Sequence, residues 1–210
     1  MAAQQLSWTA AHSPDAVGQV VYLAGRLVAA NGTERVVVAA LDPLTLTTKW
    51  IKVIGEGGER ALALVSSPAG KGQVAVAGWQ GSGASTAAWL AVLDGDGTLL
   101  RRGTEGQVGP RAYMALMPGP QGELVAAGGA EKLGTNSGEL TTYGWFARWD
   151  GAGKQLLQGR ALMAGKKQIF GAGIPYAAGY LLAGSVGGLG LNRQGWLVQV
   201  NANGLIPCGL

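Results

Sequence analysis

Short apolar segments recur along the chain at a regular interval, separated by stretches rich in glycine, proline and small polar residues. Four of them end in Ala-Gly: VYLAG (21–25), VAVAG (74–78), LVAAG (124–128) and YLLAG (180–184), whose last glycines are 53, 50 and 56 residues apart. After each comes a second segment: VVAALD (37–42), WLAVLD (89–94), WFARWD (145–150) and WLVQVN (196–201). Ahead of each Ala-Gly segment a proline is followed four residues later by a glycine, in the pairs Pro14/Gly18, Pro68/Gly72, Pro118/Gly122 and Pro175/Gly179. Three markers in one order, four times over, define an internal repeat.

Each repeat predicts four strands. The first is the apolar stretch before the proline (6–11, 61–65, 112–117 and 169–174). A tight turn through the proline and glycine leads to the second, since proline presets one backbone angle and glycine accepts positive φ. The second strand ends in Ala-Gly, and the third begins at Val37, Trp89, Trp145 or Trp196 and closes on an Asp or Asn hairpin. The fourth strand follows at 47–53, 98–102, 155–158 and 205–208. Four strands in a period of about 50 residues is the signature of propeller blades. The expected fold is therefore all-β: one propeller domain, 1–210, of four contiguous four-stranded antiparallel blades near 5–54, 59–103, 110–159 and 167–210.

The Ala-Gly segments, followed after a variable loop by Trp-Leu-x-x-Leu-Asp-x-x-Gly, resemble bacterial β-propeller repeat families. In blade order they are also similar to kelch repeats. The resemblance covers nearly the whole chain, from about Leu6 to Leu210. It implies antiparallel blades with the first strand innermost and lining a channel, and it implies export, to the periplasm or the cell exterior. On function it is almost silent, because propellers carry binding proteins, scaffolds and enzymes alike. The first repeat departs from the pattern, with Val37 in place of tryptophan and no glycine-rich hairpin after Asp42-Pro43. That departure marks it as a terminal repeat with altered packing.

Up-and-down connectivity puts the short, stereotyped turns at one end of every blade and the longer, variable loops at the other. Loops on a rigid scaffold are where binding residues concentrate, so the variable end is the expected site. Its longest loop, 129–143, carries Lys132 and Tyr143. Arg60, Arg111, Lys166 and Lys167 fall just ahead of the innermost strands and would gather at a channel mouth, where an anionic ligand or an acidic partner surface is drawn. The competing reading makes them solvated charges offset by Glu56, Glu59 and Glu105. Trp79 and Tyr143, if exposed together, would stack on a sugar or a peptide.

Composition removes several function classes. Charged residues are 13% of the chain, 16 basic and 12 acidic, so the net charge of +4 gives little support to a nucleic-acid partner. No apolar run reaches the roughly 18–20 residues of a membrane helix, and the first ten residues show no basic-then-apolar leader pattern. One histidine, His12, and one cysteine, Cys208, cannot make a His/Cys metal centre or an intrachain disulfide. His12 has no nucleophile and carboxylate placed to form a triad, and Asp94-Gly95-Asp96-Gly97 lacks the downstream glutamate of a calcium loop. Paired carboxylates among Glu56, Glu59 and Glu105 are the one candidate for hydrolytic chemistry. The reading that follows is a noncatalytic binding or scaffold module without a cofactor or metal. It docks a protein partner, with a lectin-like propeller or a hydrolase accessory domain as alternatives. Four repeats of about 52 residues make either a closed four-bladed ring, the preferred arrangement, or half of a larger propeller, which would call for oligomerisation.

Overall fold

The computed structural model describes residues 5–12, 20–66, 72–82, 85–104, 111–119, 122–133, 140–150, 154–161, 167–187, 194–201 and 203. Among them are fifteen strands and no helix beyond a single turn. The first sheet has the order β1 (Gln5–His12), β2 (Val21–Val28), β3 (Glu34–Leu41), β4 (Thr48–Ile54). The second is β5 (Glu59–Ser66), β6 (Val74–Gln80), β7 (Ala87–Leu93), β8 (Leu99–Thr104). The third is β9 (Arg111–Pro118), β10 (Leu124–Leu133), β11 (Leu140–Trp149), β12 (Gln155–Ala161). The fourth has three described strands, β13 (Lys167–Tyr176), β14 (Gly179–Gly187) and β15 (Gln194–Asn201). Every pairing is antiparallel between consecutive strands. The expected fourth strand of the last repeat, 205–208, lies outside the described residues, as do Pro14, Pro68, Gly18 and Cys208.

The sheets stack in chain order. β5 packs across β1, β2 and β3, β9 across β5, β6 and β7, and β13 across β9, β10 and β11. One apolar core fills each joint. Tyr22, Val36 and Val38 meet Val74, Val76 and Trp89 between the first two sheets. Ala75, Ala77 and Leu90 meet Leu124, Ala126 and Trp145 between the second and third. Val125, Ala127 and Phe146 meet Tyr180, Leu182 and Trp196 between the third and fourth. A middle sheet is therefore buried on both faces, and its central strands read as continuous apolar runs rather than alternating ones. No comparable packing joins the fourth sheet to the first among the described residues, so the four sheets form an open stack and not the closed ring that the repeat count favoured.

The recurrent Ala-Gly glycine does not end the second strand of each sheet, as the sequence suggested. β2, β6, β10 and β14 all run on past it. Opposite each glycine the first strand carries a bulge, at Trp8/Ala10, Ala61/Ala63, Tyr113/Ala115 and Phe170/Ala172. The bulged strand lays a carbonyl against the glycine: a Cβ at Gly25, Gly78, Gly128 or Gly184 would overlap the oxygen of Ser7, Arg60, Ala112 or Ile169. A glycine inside a strand marks such an approach of another backbone.

The hairpins after the third strands share one device. The Oδ1 atom of Asp42 accepts from the N–H groups of Leu44 and Thr45, that of Asp94 from Asp96 and Thr98, that of Asp150 from Lys154, and that of Asn201 from Asn203. Side-chain oxygens that cap a turn in this way explain the recurrent Asp/Asn without a bound cation. Among the described residues no three potential ligands cluster for a metal. Among the described residues no helix is long and apolar enough to cross a membrane.

Candidate binding cleft at the loop end

The variable loops of the first two sheets meet at one end of the stack. There the chain between β4 and β5 turns through Gly55, Gly57 and Gly58, all at positive φ (89, 134 and 78°), which side-chain-bearing residues adopt at a cost. The loop wraps the carboxylate of Glu59, the first residue of β5, which is only 2% exposed. The Glu56 N–H donates to its Oε1 and the Gly57 N–H to its Oε2, each at 2.8 Å. Arg102, from β8, donates through Nη2 to Glu59 Oε1 at 2.7 Å and to Gln80 Oε1 at 2.5 Å. Burial pushes the Glu59 carboxyl up, but those backbone donors and the guanidinium outweigh it and hold the group below the usual carboxylate value.

Beside this network lies a second one centred on Glu34. Arg60 donates to its Oε2 through Nε at 2.8 Å and to its Oε1 through Nη2 at 3.1 Å, a two-pronged pairing that matches the carboxylate plane. Arg26 Nη1 adds a third contact at 2.9 Å. The hydrogen bond from Arg60 is the main reason the Glu34 carboxyl also sits below its ordinary value. Backbone bonds stitch the two sheets together here, from Gly58 N–H to the Glu34 carbonyl at 2.8 Å and from Gly81 N–H to the Gly58 carbonyl at 3.1 Å.

Between the loops is an open cleft of about 480 Å³, lined by Glu56, Glu59, Gln80, Ser85, Arg102 and Thr104 with the backbone of Gly57 and Gly81. Its floor is the Glu59–Arg102–Gln80 network, whose charges cancel. Its rim carries the exposed carboxylate of Glu56, which has no ion-pair partner among the described residues. The surplus charge of the cleft is negative, and its remaining groups are hydroxyls, an amide and backbone.

The expected site residues separate into two groups. Arg60 and Trp79 come together at the cleft end, with the guanidinium 5.0 Å from the centre of the half-buried indole. Arg111 and Tyr143 meet elsewhere, around Trp145 in the joint between the second and third sheets. Both are buried, Arg111 with its guanidinium 4.1 Å from the Trp145 ring centre and Tyr143 edge-on to the same ring. The expected basic rim is therefore not built from these two arginines, because one is occupied by Glu34 and the other is enclosed. Tyr143 and Trp79 do not present one aromatic platform. Lys166 and Glu105 lie outside the described residues, and for Lys132, Lys167 and His12 only the backbone is described, in β10, β13 and β1. The tryptophans of the third strands sit in the joints: Trp89 is fully buried and donates to the Trp79 carbonyl at 2.9 Å, and Trp196 stacks on Phe170 at 5.2 Å.

Glu34, Gln80 and Arg102 escaped the sequence reading. For Glu34 and Gln80 one signal was present, a polar residue at the end of an otherwise apolar strand, where a side chain leaves the joint and reaches the loop end; Arg102 lies within the exposed strand β8 and carried no such signal.

No family model matches the chain, and no curated protein matches it. Among solved structures, an acylaminoacyl peptidase of Pyrococcus horikoshii is similar over 93% of this chain, with a TM-score of 0.50 and 9% sequence identity. The match covers 33% of that peptidase, so this chain spans about a third of its length. At such identity the likeness concerns the fold alone.

Proposed function

We propose that the chain is a noncatalytic binding module of β-propeller type that docks a protein partner through its loop end, with a basic side chain of the partner entering the cleft. The propeller reading is supported by the fourfold repeat, the up-and-down sheets packed first strand to first strand, and the likeness in fold to a solved structure over most of the chain. The observation that carries the binding reading is the cleft itself: a satisfied polar floor beneath the Glu56 carboxylate, which has no ion-pair partner among the described residues, on loops tied to the sheets through Glu59 and Glu34. A lysine or arginine supplies the missing charge and finds the hydroxyls of Ser85 and Thr104 beside it.

A sugar is less well served, since one face of the Trp79 ring is taken by Arg60 and no second aromatic faces the cleft among the described residues. Hydrolysis by paired carboxylates is also poorly served. Glu59 is committed to two backbone N–H groups and Arg102 and is held ionised, the opposite of a general acid poised near neutrality.

A peptide array probed with the purified chain tests the proposal. Lys- and Arg-containing peptides should be retained, and Glu56→Lys should abolish retention while Asp94→Ala, at the opposite end of the stack, leaves it intact. Retention indifferent to Glu56→Lys, or no basic peptide retained, would overturn it.

A further inference from the structure

The two outermost faces of the stack carry exposed apolar side chains among the described residues, and the repeat says what each is built to meet. Leu197 on β15 occupies the position of Val38, Leu90 and Phe146 in the other repeats. Those three are 0%, 0% and 2% exposed because the next sheet covers them, whereas Leu197 is 69% exposed. Ile174 and Tyr176 of β13 are likewise exposed, and Ile174 pairs with Leu181 on the face that Leu197 shares.

The first sheet shows the converse. Its outward face carries Val21, Leu23 and Val37, which correspond to Val74, Val76 and Trp89, the residues with which the second sheet packs on the first; Val21 and Leu23 are half-buried and Val37 is 1% exposed, so the exposed part of this face lies on its flanking strands. No sheet precedes it among the described residues, and along the same face Leu6, Trp8, Ile51 and Val53 are exposed, Ile51 to 51%. Val37 replaces the joint tryptophan here, and Trp8 lies in the same cross-strand row, opposite Gly25, which pairs in turn with Val37.

The two faces are thus the donor and acceptor halves of the joint that the chain makes three times internally. One chain does not bring them together among the described residues, where no extensive packing joins the fourth sheet to the first. We propose that a second copy covers them: the fourth sheet of each copy packs on the first sheet of the other, closing eight sheets into one ring through two identical joints. The count rests on the propeller reading above, in which rings of about four to eight blades are the usual range. Two copies fall within it and three exceed it. The head-to-tail contact closes because the same joint is used twice about a twofold axis.

Sedimentation equilibrium of the purified chain tests this. The wild type should run at twice its 21.3 kDa mass. Leu197→Glu alone, and Ile51→Glu with Val53→Glu, should each weaken the dimer about a hundredfold, because each places carboxylates in both joints. These positions are exposed in the single chain, so its circular dichroism should not change. Mixing the two variants should restore a two-chain species through the one joint left intact, while Leu44→Glu, in the exposed β3–β4 turn, should leave the wild-type mass. A wild type of 21.3 kDa with native circular dichroism, or a larger mass that neither variant alters, would overturn the proposal. Basic-peptide retention by such a monomer would show that the assembly fails while the binding reading stands.

Discussion

The turn end and the loop end of the stack are built on different principles. At the turn end a single local device repeats: an Asp or Asn side chain caps the backbone a few residues on, at Asp42, Asp94, Asp150 and Asn201. At the loop end no such device repeats among the described residues. Glu59 is met by an arginine 43 residues away and Glu34 by one 26 residues away. The local device holds one hairpin at a time, whereas the long-range pairs couple the two sheets and shape a cleft between them. A scaffold that spends identical turns on one end is free to vary the other, and variation is where recognition resides.

This contrast can be broken at three points. The largest effect should come from Glu59→Gln. The amide turns a donor toward the Glu56 and Gly57 N–H groups and Arg102, and the loss of a buried, paired carboxylate should cost about 3 kcal/mol. Urea titration measures it, and pH gives the sign. The folded Glu59 carboxyl titrates below its ordinary value of 4.5, so its contribution is complete above that pH and is lost as pH falls through the folded value. The gap between wild type and Glu59→Gln should therefore be widest near neutrality and narrow in acid; a gap that widens in acid would contradict the assigned network.

Next is Gly78→Ala, which should cost about 2 kcal/mol by forcing a methyl group against the Arg60 carbonyl at the bulge of β5. Gly32→Ala, at positive φ in the open β2–β3 turn with no atom nearby, separates overlap from backbone strain and should cost less than Gly78→Ala. Equal costs would mean that the bulge contact is not tight. The smallest is Asp94→Ala, about 1 kcal/mol for the capping hydrogen bonds, with peptide retention at the loop end unchanged.

The same contrast explains what the sequence made legible. Strand positions and the Asp/Asn hairpins follow from short-range pattern, and the repeat multiplied each signal four times. The Ala-Gly glycines were visible but misread as strand ends, because the bulge that demands them lies on the neighbouring strand. At the cleft, Arg60 and Arg111 look alike as basic residues ahead of an apolar strand. Their fates diverge through partners that no local pattern names: Glu34 and Trp79 for Arg60, the Trp145 ring in a joint for Arg111. Arg102 looked like an ordinary strand residue until Glu59 and Gln80 were brought beside it.

The most direct test of the binding account is to titrate an acetylated Lys-Arg-Lys amide into the isotopically labelled chain and follow backbone amide resonances. The account predicts saturable shifts concentrated at residues 55–59, 80–82, 85–86 and 102–104, abolished by Glu56→Lys. Shifts centred on the Asp/Asn hairpins of the turn end, or none at saturating peptide, would contradict it.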